Sequence, residues 1–521
     1  MVTPKNPSRT KSWTLAACIL GSSLAYIDGS VVNVALPSMQ ADLGMSIDGA
    51  QWVVNGYLLL LGSLVLVGGA AGDRYGRRFV FILGSLVFTA ATIVCAATPT
   101  PAFLIGARLV QGLGGAMLVP ASMTIISVVF PEAERGKAIG TWAGASALTT
   151  ALGPVLGGWL VDAASWRAIF YINVPIAAFA ILIMRTKVPE SYGASEDGKR
   201  QLDWIGGALA VIGLGALSYG LTTAAKSGWG DPTVYGVVIL GLIGLAGFVT
   251  YEARATAPMV PLNLFRIPAF SGMNALTFLL YGALAGTFFL LPFDFIKLQG
   301  YSAAVTGASF LPFILVFGGL SRLSGGLINR IGARLPLIIG PALVAVAMAL
   351  LAAPGIGGSY WTTFFPAFIV FGTGMALAIA PLTTIVIGAV DQRQAGVASG
   401  VNNAVARLGG LLAVAILGAV AVSVFGGELE SRLSAAKIEP ATITAIRAEA
   451  PRLANATVPA SITGAMRATI ETALKQSFLK SFRVAMLINA ILALLSAGCS
   501  AVSLKRQKNT VMPDKQSEAM R

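Results

Sequence analysis

Asp28, Arg108 and Asp294 are ionisable residues that lie inside long apolar segments of the chain. A charged group in the interior of a bilayer is costly, and residues of this kind usually serve a function. The chain contains no histidine, so a group that carries protons near neutral pH has to be a carboxylate whose protonated form is favoured by burial. This pattern predicts proton coupling at these three residues.

Asp28 and Arg108 are expected at the same depth in the membrane. Asp28 lies about fifteen residues into its segment, or ~22 Å along a helix, which leaves ~8 Å to the far surface of a ~30 Å hydrocarbon core. Arg108 lies ~9 Å from that surface on a segment that begins near Ala102. We therefore predict an Asp28–Arg108 ion pair. An inert buried pair is the alternative, although a purely structural pair adds little net stability.

The second half of the chain offers a different set of candidates. Asp294 is followed three residues later by Lys297, so Asp294 forms either a proton site or one member of an interfacial salt bridge. Arg407 lies midway along a later apolar segment. Aromatic residues of this half, among them Phe289 and Phe313, can line an apolar pocket that suits hydrophobic or cationic cargo.

The apolar segments that carry these residues dominate the chain. Of the 521 residues, 56% are hydrophobic and 11% are charged, and the mean hydropathy is +0.78, which is far above that of a soluble globular protein. Each segment is roughly twenty residues long, the length that a helix needs to cross a bilayer. The sequence therefore predicts an all-α integral membrane protein with fourteen transmembrane helices. Cys18, Cys95 and Cys499 lie singly in these segments, which favours small core residues over a disulfide or a metal site.

The basic residues define an orientation. The net charge of +14 arises from Lys and Arg in short connectors, which are concentrated in alternate connectors and at both chain ends. Because such an excess marks the cytoplasmic side, we predict a multi-pass membrane protein with both termini in the cytoplasm. Nucleic-acid binding is not favoured, since the basic residues do not line one helix face.

The second half of the chain repeats features of the first. Gly69, Asp73, Arg74, Gly76 and Arg78 align in spacing with Gly325, Asn329, Arg330, Gly332 and Arg334. Related halves are typical of alternating-access transporters, in which the substrate binds near the midplane; channels and membrane enzymes with repeats are alternatives. We predict a six-helix bundle at 1–200, two inserted helices at 201–267 and a second six-helix bundle at 268–521 with a long extracytoplasmic connector at 426–481. Phe368 stands in the place of Arg108, so ion handling is expected mainly in the first half.

The segment GDRYGRR is predicted to form a tight cytoplasmic turn. Gly72 and Gly76 permit the turn. Asp73 can accept hydrogen bonds or cap the next helix, and Arg74 and Arg78 can reach carboxylates or lipid phosphates. Such a loop can hold the two halves together in one state and release them in the other. The alternative is that the arginines only set the topology.

Several motifs resemble one known family. GGAAGDRYGRR resembles the loop signature of the major facilitator superfamily, LIGARLVQGLGGAMLVP resembles its fourth-helix motif, and ALGPVLGG resembles the antiporter motif of its proton-driven exporters. IDGSVVNVALPSM and WRAIFYINVP resemble its fourteen-span drug–proton antiporter branch. The resemblance covers about residues 15–425 and the last span. It implies the major facilitator fold, two six-helix bundles plus two inserted helices, and multidrug efflux.

The motifs also supply candidate site residues. In ALGPVLGG, Pro154 permits a helix kink, and Gly153, Gly157 and Gly158 form a small-residue face for close helix contact. The resemblance implies that this face seals the bundle against leakage; ordinary glycine packing is the alternative. Candidates for the substrate pocket are Gln111, Asn33, Phe289, Phe313 and Arg407.

The expected function is proton-driven export of amphipathic drugs or toxic organic compounds by alternating access in the inner membrane of a bacterium. The alternative is proton-coupled transport of one metabolite, such as an amino acid or a siderophore. A membrane enzyme is not favoured, because the sequence has no histidine, no metal-ligand spacing and no phosphate-binding loop, and a pore does not fit the antiporter motif. We predict no cofactor and no metal. The partners are the small-molecule substrate, protons and lipid. The sequence leaves open the compounds transported, the proton stoichiometry, the oligomeric state, the role of the 426–481 connector, and whether a periplasmic adaptor and an outer-membrane channel take part.

Overall fold

The described part of the chain is helical throughout. The computed structural model describes residues 7–192, 202–227, 231–256, 258–390, 394–459 and 461–504. The helices are α1 (Pro7–Asp42), α2 (Ile47–Tyr75), α3 (Arg77–Ala97), α4 (Pro101–Val129), α5 (Glu132–Ala163), α6 (Ala168–Tyr171), α7 (Asn173–Lys187), α8 (Trp204–Ser227), α9 (Pro232–Glu252), α10 (Pro268–Phe293), α11 (Ala303–Ala308), α12 (Leu311–Ile331), α13 (Arg334–Ala352), α14 (Tyr360–Thr363), α15 (Phe365–Gly388), α16 (Ala395–Ala435), α17 (Pro440–Arg447) and α18 (Gly464–Ser503). Short 3₁₀ segments cover Leu262–Arg266 and Ala450–Asn455, and a π-helical turn covers Asp294–Leu298.

Fourteen of the described helical segments are long and apolar enough to cross a membrane. This confirms the predicted all-α class and the predicted number of spans. Large apolar side chains such as Phe103 (64% exposed) and Phe179 (62% exposed) face outward, as expected for residues that contact lipid. Following the predicted orientation, we call the end at which α1 begins cytoplasmic and the opposite end extracytoplasmic.

Glycine and proline shape the connections between these helices. Pro101, Pro232 and Pro268 lie in the first turns of α4, α9 and α10, where a missing N–H group leaves no hydrogen bond unmade. Gly76 between α2 and α3 has a φ of 107°, and Gly332 between α12 and α13 has a φ of 74°. Both values favour glycine. The two repeated sequence segments therefore form similar backbone turns.

The helix contacts follow the same pattern at both ends of the chain. In the N-terminal part, α2 and α3 pack on α4, and α1 packs on α5 and α7. In the C-terminal part, α12 and α13 pack on α15, and α10 packs on α16 and α18. Helices α8 and α9 pack on each other, and α8 contacts both α2 and α16. The division at residues 200 and 267 stays a prediction, and residue 200 lies outside the described residues.

The two most extensive contacts between the N-terminal helices and the C-terminal helices involve α2 and α5. Helix α2 packs on α16, where Gln51 Nε2 donates hydrogen bonds to the carbonyl oxygens of Val414 (2.6 Å) and Ala415 (3.1 Å). Helix α5 packs on α11 at the extracytoplasmic end. These contacts fix the relative positions of the groups that form the candidate site.

Half of the 426–481 connector continues its flanking helices. Helix α16 runs to Ala435, and α18 begins at Gly464. Between them, Asn455 Nδ2 donates to Gln40 Oε1 (2.7 Å), and Gln40 Nε2 donates to the carbonyl oxygen of Arg452 (3.2 Å). The connector therefore reaches across to the extracytoplasmic end of α1.

Candidate functional site

Asp28 of α1 and Arg108 of α4 form an ion pair inside the N-terminal helices. Their side chains are 0% and 1% exposed. The pairing that we predict from their matching depths is therefore present. A role of this pair in proton coupling stays a prediction.

Gln111 and Thr92 complete a hydrogen-bond network around the pair. Arg108 Nη1 donates to Gln111 Oε1 (2.6 Å), and Gln111 Nε2 donates to Asp28 Oδ1 (2.9 Å) and to Thr92 Oγ1 (2.8 Å). Arg108 Nε donates to the carbonyl oxygen of Val53 (2.8 Å). Both oxygens of the Asp28 carboxylate thus have partners, which is the condition for keeping a charge buried.

Tyr57 of α2 covers the guanidinium of Arg108. The guanidinium carbon lies 4.4 Å from the ring centroid, a favourable cation–π geometry. Helix α2 can approach this closely because α4 carries Gly112, where a Cβ would lie 2.4 Å from the carbonyl oxygen of Tyr57. The roles of Tyr57 and Thr92 were not predicted from the sequence. Polar side chains within apolar spans are the signal that could have found them.

Asp294 has a different environment at the extracytoplasmic end of α10. Its side chain is 1% exposed, its Oδ1 has no hydrogen-bond partner among the described residues, and Gln299 Nε2 lies 3.4 Å from its Oδ2. Within the described ranges, no ion pair within 4.0 Å joins Asp294 to Lys297, so the salt bridge considered from the sequence is not formed. A buried carboxylate with an open oxygen can bind a proton, and Asp294 stays a candidate for coupling.

The GDRYGRR loop is tied to the end of α7. Asp73 Oδ1 accepts hydrogen bonds from Arg77 Nε (3.0 Å) and Nη2 (2.7 Å). The N-terminus of α3 is bound by Glu190, whose two oxygens accept from the backbone N–H groups of Arg78 (2.8 Å) and Phe79 (3.1 Å). Glu190 therefore occupies the capping position of α3 that was expected for Asp73. The roles of Glu190 and Arg77 were not predicted.

The other loop residues match the predicted turn in part. Gly76 has the positive φ, while Gly72 lies within α2, where its carbonyl oxygen accepts from the N–H of Gly76 (3.1 Å). Arg74 is exposed, with its guanidinium 5.3 Å from the ring of Tyr75. Arg78 Nη1 donates to the carbonyl oxygen of Val188 (3.1 Å). A clasp between the two halves stays a prediction.

The glycines of ALGPVLGG contact two different partners. A Cβ on Gly153 would lie 1.8 Å from Ser30 Oγ, and one on Gly157 would lie 2.4 Å from Val31 Cγ2, both on α1 of the same half. A Cβ on Gly158 would instead lie 2.1 Å from the carbonyl oxygen of Ala303 on α11. The motif therefore packs α5 against α1 on one side and against the C-terminal half on the other.

The contact between α5 and α11 has further components. Helix α5 continues through Pro154, and a Cβ on Gly307 would lie 2.1 Å from the carbonyl oxygen of Pro154. Asp162 of α5 accepts hydrogen bonds from the N–H groups of Ala303 (3.2 Å) and Ala304 (2.7 Å) at the start of α11. Backbone approach and this carboxylate together close the extracytoplasmic end of the α5–α11 interface. Asp162 was not predicted, because its partners lie far away in the sequence.

The polar candidates for the substrate pocket have separate surroundings. Gln111 belongs to the Asp28 network described above. Asn33 is half-buried, and its Nδ2 donates to the carbonyl oxygen of Gly29 (3.2 Å). Arg407 is half-buried at the α2–α16 interface, where a Cβ on Gly62 would lie 3.1 Å from its own Cβ.

The aromatic candidates pack within the C-terminal half. Phe289 is fully buried, with its ring centroid 5.9 Å from that of Phe293. Phe313 is half-buried between Phe371 (4.5 Å between centroids) and Phe317 (6.0 Å, stacked). Phe289 is therefore shielded in this conformation, while the half-buried Phe313 belongs to an aromatic cluster. A role of either residue in the substrate pocket stays a prediction.

The fold and these motifs define a class of multi-pass membrane transporter, and comparison with known proteins identifies the family. The model of the Major Facilitator Superfamily matches residues 18–414. The chain belongs to the Major Facilitator Superfamily, and it is a transporter rather than an enzyme.

Relatives with described roles include three resistance proteins. The multidrug resistance protein Stp of Mycobacterium tuberculosis (strain CDC 1551 / Oshkosh) is 34% identical over 83% of this chain and 80% of its own length. The puromycin resistance protein pur8 of Streptomyces alboniger is 36% identical over 80% of this chain and 83% of its own length. The tetracenomycin C resistance and export protein of Streptomyces glaucescens is 29% identical over 98% of this chain and 95% of its own length.

A solved structure shares the fold. The inward-facing, unoccupied form of a bacterial homolog of the human lysosomal transporter Spinster has a TM-score of 0.64 and 16% identity, over 97% of this chain and all of that one. The fourteen-span drug–proton antiporter branch that the motifs indicate fits the family match, the resistance relatives and the fourteen helices.

Proposed function

We propose that this transporter exports amphipathic drugs or toxic organic compounds in exchange for protons, by alternating access across the bacterial inner membrane with both termini in the cytoplasm. The observation that carries this proposal is the network of Asp28, Arg108 and Gln111, in which a fully shielded carboxylate is held by a single cation. Proton transfer to that carboxylate changes the net charge of the network.

Protonation of Asp28 would remove the counter-ion of Arg108. The guanidinium would then keep its hydrogen bonds to Val53 and Gln111 and its contact with Tyr57. A buried charge without a counter-ion is strongly unfavourable. Proton binding would therefore favour a conformation in which α1 and α4 have shifted and Arg108 reaches water or another anion.

The contact between α5 and α11 supports the alternating-access part of the proposal. Cargo that leaves on the extracytoplasmic side would have to pass between the two halves, and the Gly158 and Asp162 contacts close that interface. Rocking of one half against the other would break these contacts while leaving the Gly153 and Gly157 contacts within the N-terminal half intact.

The relatives support the cargo class. Their names describe multidrug resistance, puromycin resistance, and tetracenomycin C resistance and export. All three describe protection against organic toxins, which favours drug export over transport of one metabolite.

The test is dye transport into everted membrane vesicles under an imposed pH gradient, acidic inside. Wild type is expected to accumulate an amphipathic dye against its gradient, and Asp28→Asn is expected to lose uphill transport while still equilibrating the dye. Asp42→Asn is the matched control, because Asp42 lies on the same helix in an exposed ion pair with Arg167 that is worth at most ~1 kcal/mol.

Uphill transport by Asp28→Asn at the wild-type rate would remove Asp28 as the proton carrier and leave Asp294 as the candidate. Wild-type transport that does not respond to the pH gradient would refute proton coupling as a whole.

A further inference from the structure

Arg407 lies at the boundary between the two halves, near the middle of the membrane. It is twelve residues into α16, which begins at Ala395, or ~18 Å along the helix in a hydrocarbon core of ~30 Å. Its Cβ faces Gly62 of α2, where an added Cβ would lie 3.1 Å away. The side chain is half-buried.

Arg407 has no counter-ion in the part of the chain that the structure describes. Its Nε is buried without a hydrogen-bond partner, and no ion pair or hydrogen bond of its guanidinium is formed with any described residue. Asp28 cannot serve, because its oxygens accept from Arg108 and Gln111. An uncompensated guanidinium at this depth is costly, and a bound anion is the group that would offset the cost.

The charge of Arg407 favours an anion as the ligand. An anionic group can pair with the guanidinium, while a cationic compound would meet an uncompensated positive charge.

We propose that Arg407 binds an ionised acidic group of the cargo, so that the compounds exported are organic anions rather than cations. This substrate class rests on the proposed export function, and it replaces the hydrophobic or cationic cargo expected from the sequence. Outward movement of an anion in exchange for an entering proton carries net positive charge inward, so the exchange is electrogenic.

The first experiment measures binding of two permanently charged aromatic probes, pyrenesulfonate and ethidium, to the purified full-length transporter in detergent. Wild type is expected to bind pyrenesulfonate more tightly than ethidium. A hydrogen bond to a charged group is worth ~1.5–3 kcal/mol, so Arg407→Gln is expected to weaken pyrenesulfonate binding roughly 10-fold to 150-fold. Arg407→Glu is expected to reverse the preference.

Two controls separate recognition from folding. Arg407→Lys keeps the charge and is expected to retain most of the pyrenesulfonate affinity. Arg254→Gln removes an exposed arginine at the end of α9 and is expected to bind both probes like wild type. Two results would overturn the proposal. One is that Arg407→Gln binds pyrenesulfonate as tightly as wild type does, and the other is that the wild-type protein binds ethidium but not pyrenesulfonate.

The second experiment measures transport of the same probes in proteoliposomes with an imposed membrane potential at constant pH gradient. Acceleration of pyrenesulfonate transport by the potential supports an anion–proton exchange, and transport that is insensitive to the potential contradicts it. If the pH gradient drives neither probe, the proposed antiport is wrong, and the binding data still decide whether Arg407 is an anion site.

Discussion

Gly158→Ala is expected to shift the transporter away from the conformation closed on the extracytoplasmic side. The new Cβ would lie 2.1 Å from the carbonyl oxygen of Ala303 and 2.7 Å from its carbonyl carbon. Both are backbone atoms that cannot rotate away, so α5 and α11 have to separate. Overpacking of a tight contact costs ~1–3 kcal/mol, which lowers the population of the closed conformation roughly 5-fold to 150-fold.

The assay is a distance distribution between spin labels on the two helices. Ala164, at the extracytoplasmic end of α5, and Val305, on α11, are exposed and accept labels after substitution by cysteine. The three natural cysteines are replaced first. Double electron–electron resonance is expected to show a longer α5–α11 distance for Gly158→Ala, together with slower dye efflux.

A matched control lies on the same helix. Gly144 has no atom within 4 Å of the position of an added Cβ, so Gly144→Ala tests the same chemical change in α5 without the contact. Gly157→Ala tests packing within the N-terminal half, since its Cβ would meet Val31 of α1. If Gly158→Ala leaves the label distance and efflux as in Gly144→Ala, the α5–α11 contact does not close the extracytoplasmic side.

Asp162→Ala removes the carboxylate that accepts from the first N–H groups of α11. The loss of about 1 kcal/mol is expected to lengthen the same label distance in a ~5-fold larger fraction of molecules. An unchanged distribution would show that the carboxylate does not stabilise the closed side. Asp73→Asn, which weakens the bond to Arg77, is expected to abolish efflux while the protein remains in the membrane, as judged by fractionation. Normal efflux would leave the loop as a topology signal alone. A cysteine in place of Pro440 is expected to react with an impermeant maleimide in intact cells. A cysteine in place of Thr510 is expected to react only after permeabilisation. Reaction of both from the same side would contradict the predicted orientation.

Local features of the chain account for the predictions that the structure confirms. The number of spans depends on the length and hydropathy of each segment, and neither requires knowledge of the neighbours. The Asp28–Arg108 pair could also be predicted, because the fixed rise of a helix converts sequence positions into depths in the membrane. Family motifs added the transporter class, since they record residue identities at fixed spacing.

The rest of the network required the assembled bundle. Gln111 was predicted for the substrate pocket, but it bonds to Asp28, because α4 turns that face toward α1 and α3. Tyr57 approaches Arg108 only because Gly112 lets α2 and α4 meet closely. The sequence shows that each of these side chains is polar and lies in a span, and says nothing about which helix it faces.

The glycines of ALGPVLGG separate most clearly the properties set by the sequence from those set by the tertiary structure. Their composition and spacing predict a small-residue face for close helix packing, and this is a property of one helix. Only the tertiary structure separates Gly157, which contacts α1 in the same half, from Gly158, which contacts α11 in the other. The same holds for Asp162, whose partners Ala303 and Ala304 belong to the opposite half. Periodicity along a helix determines which side chains share a face, whereas the identity of the facing partner depends on close packing of segments that are distant in the sequence.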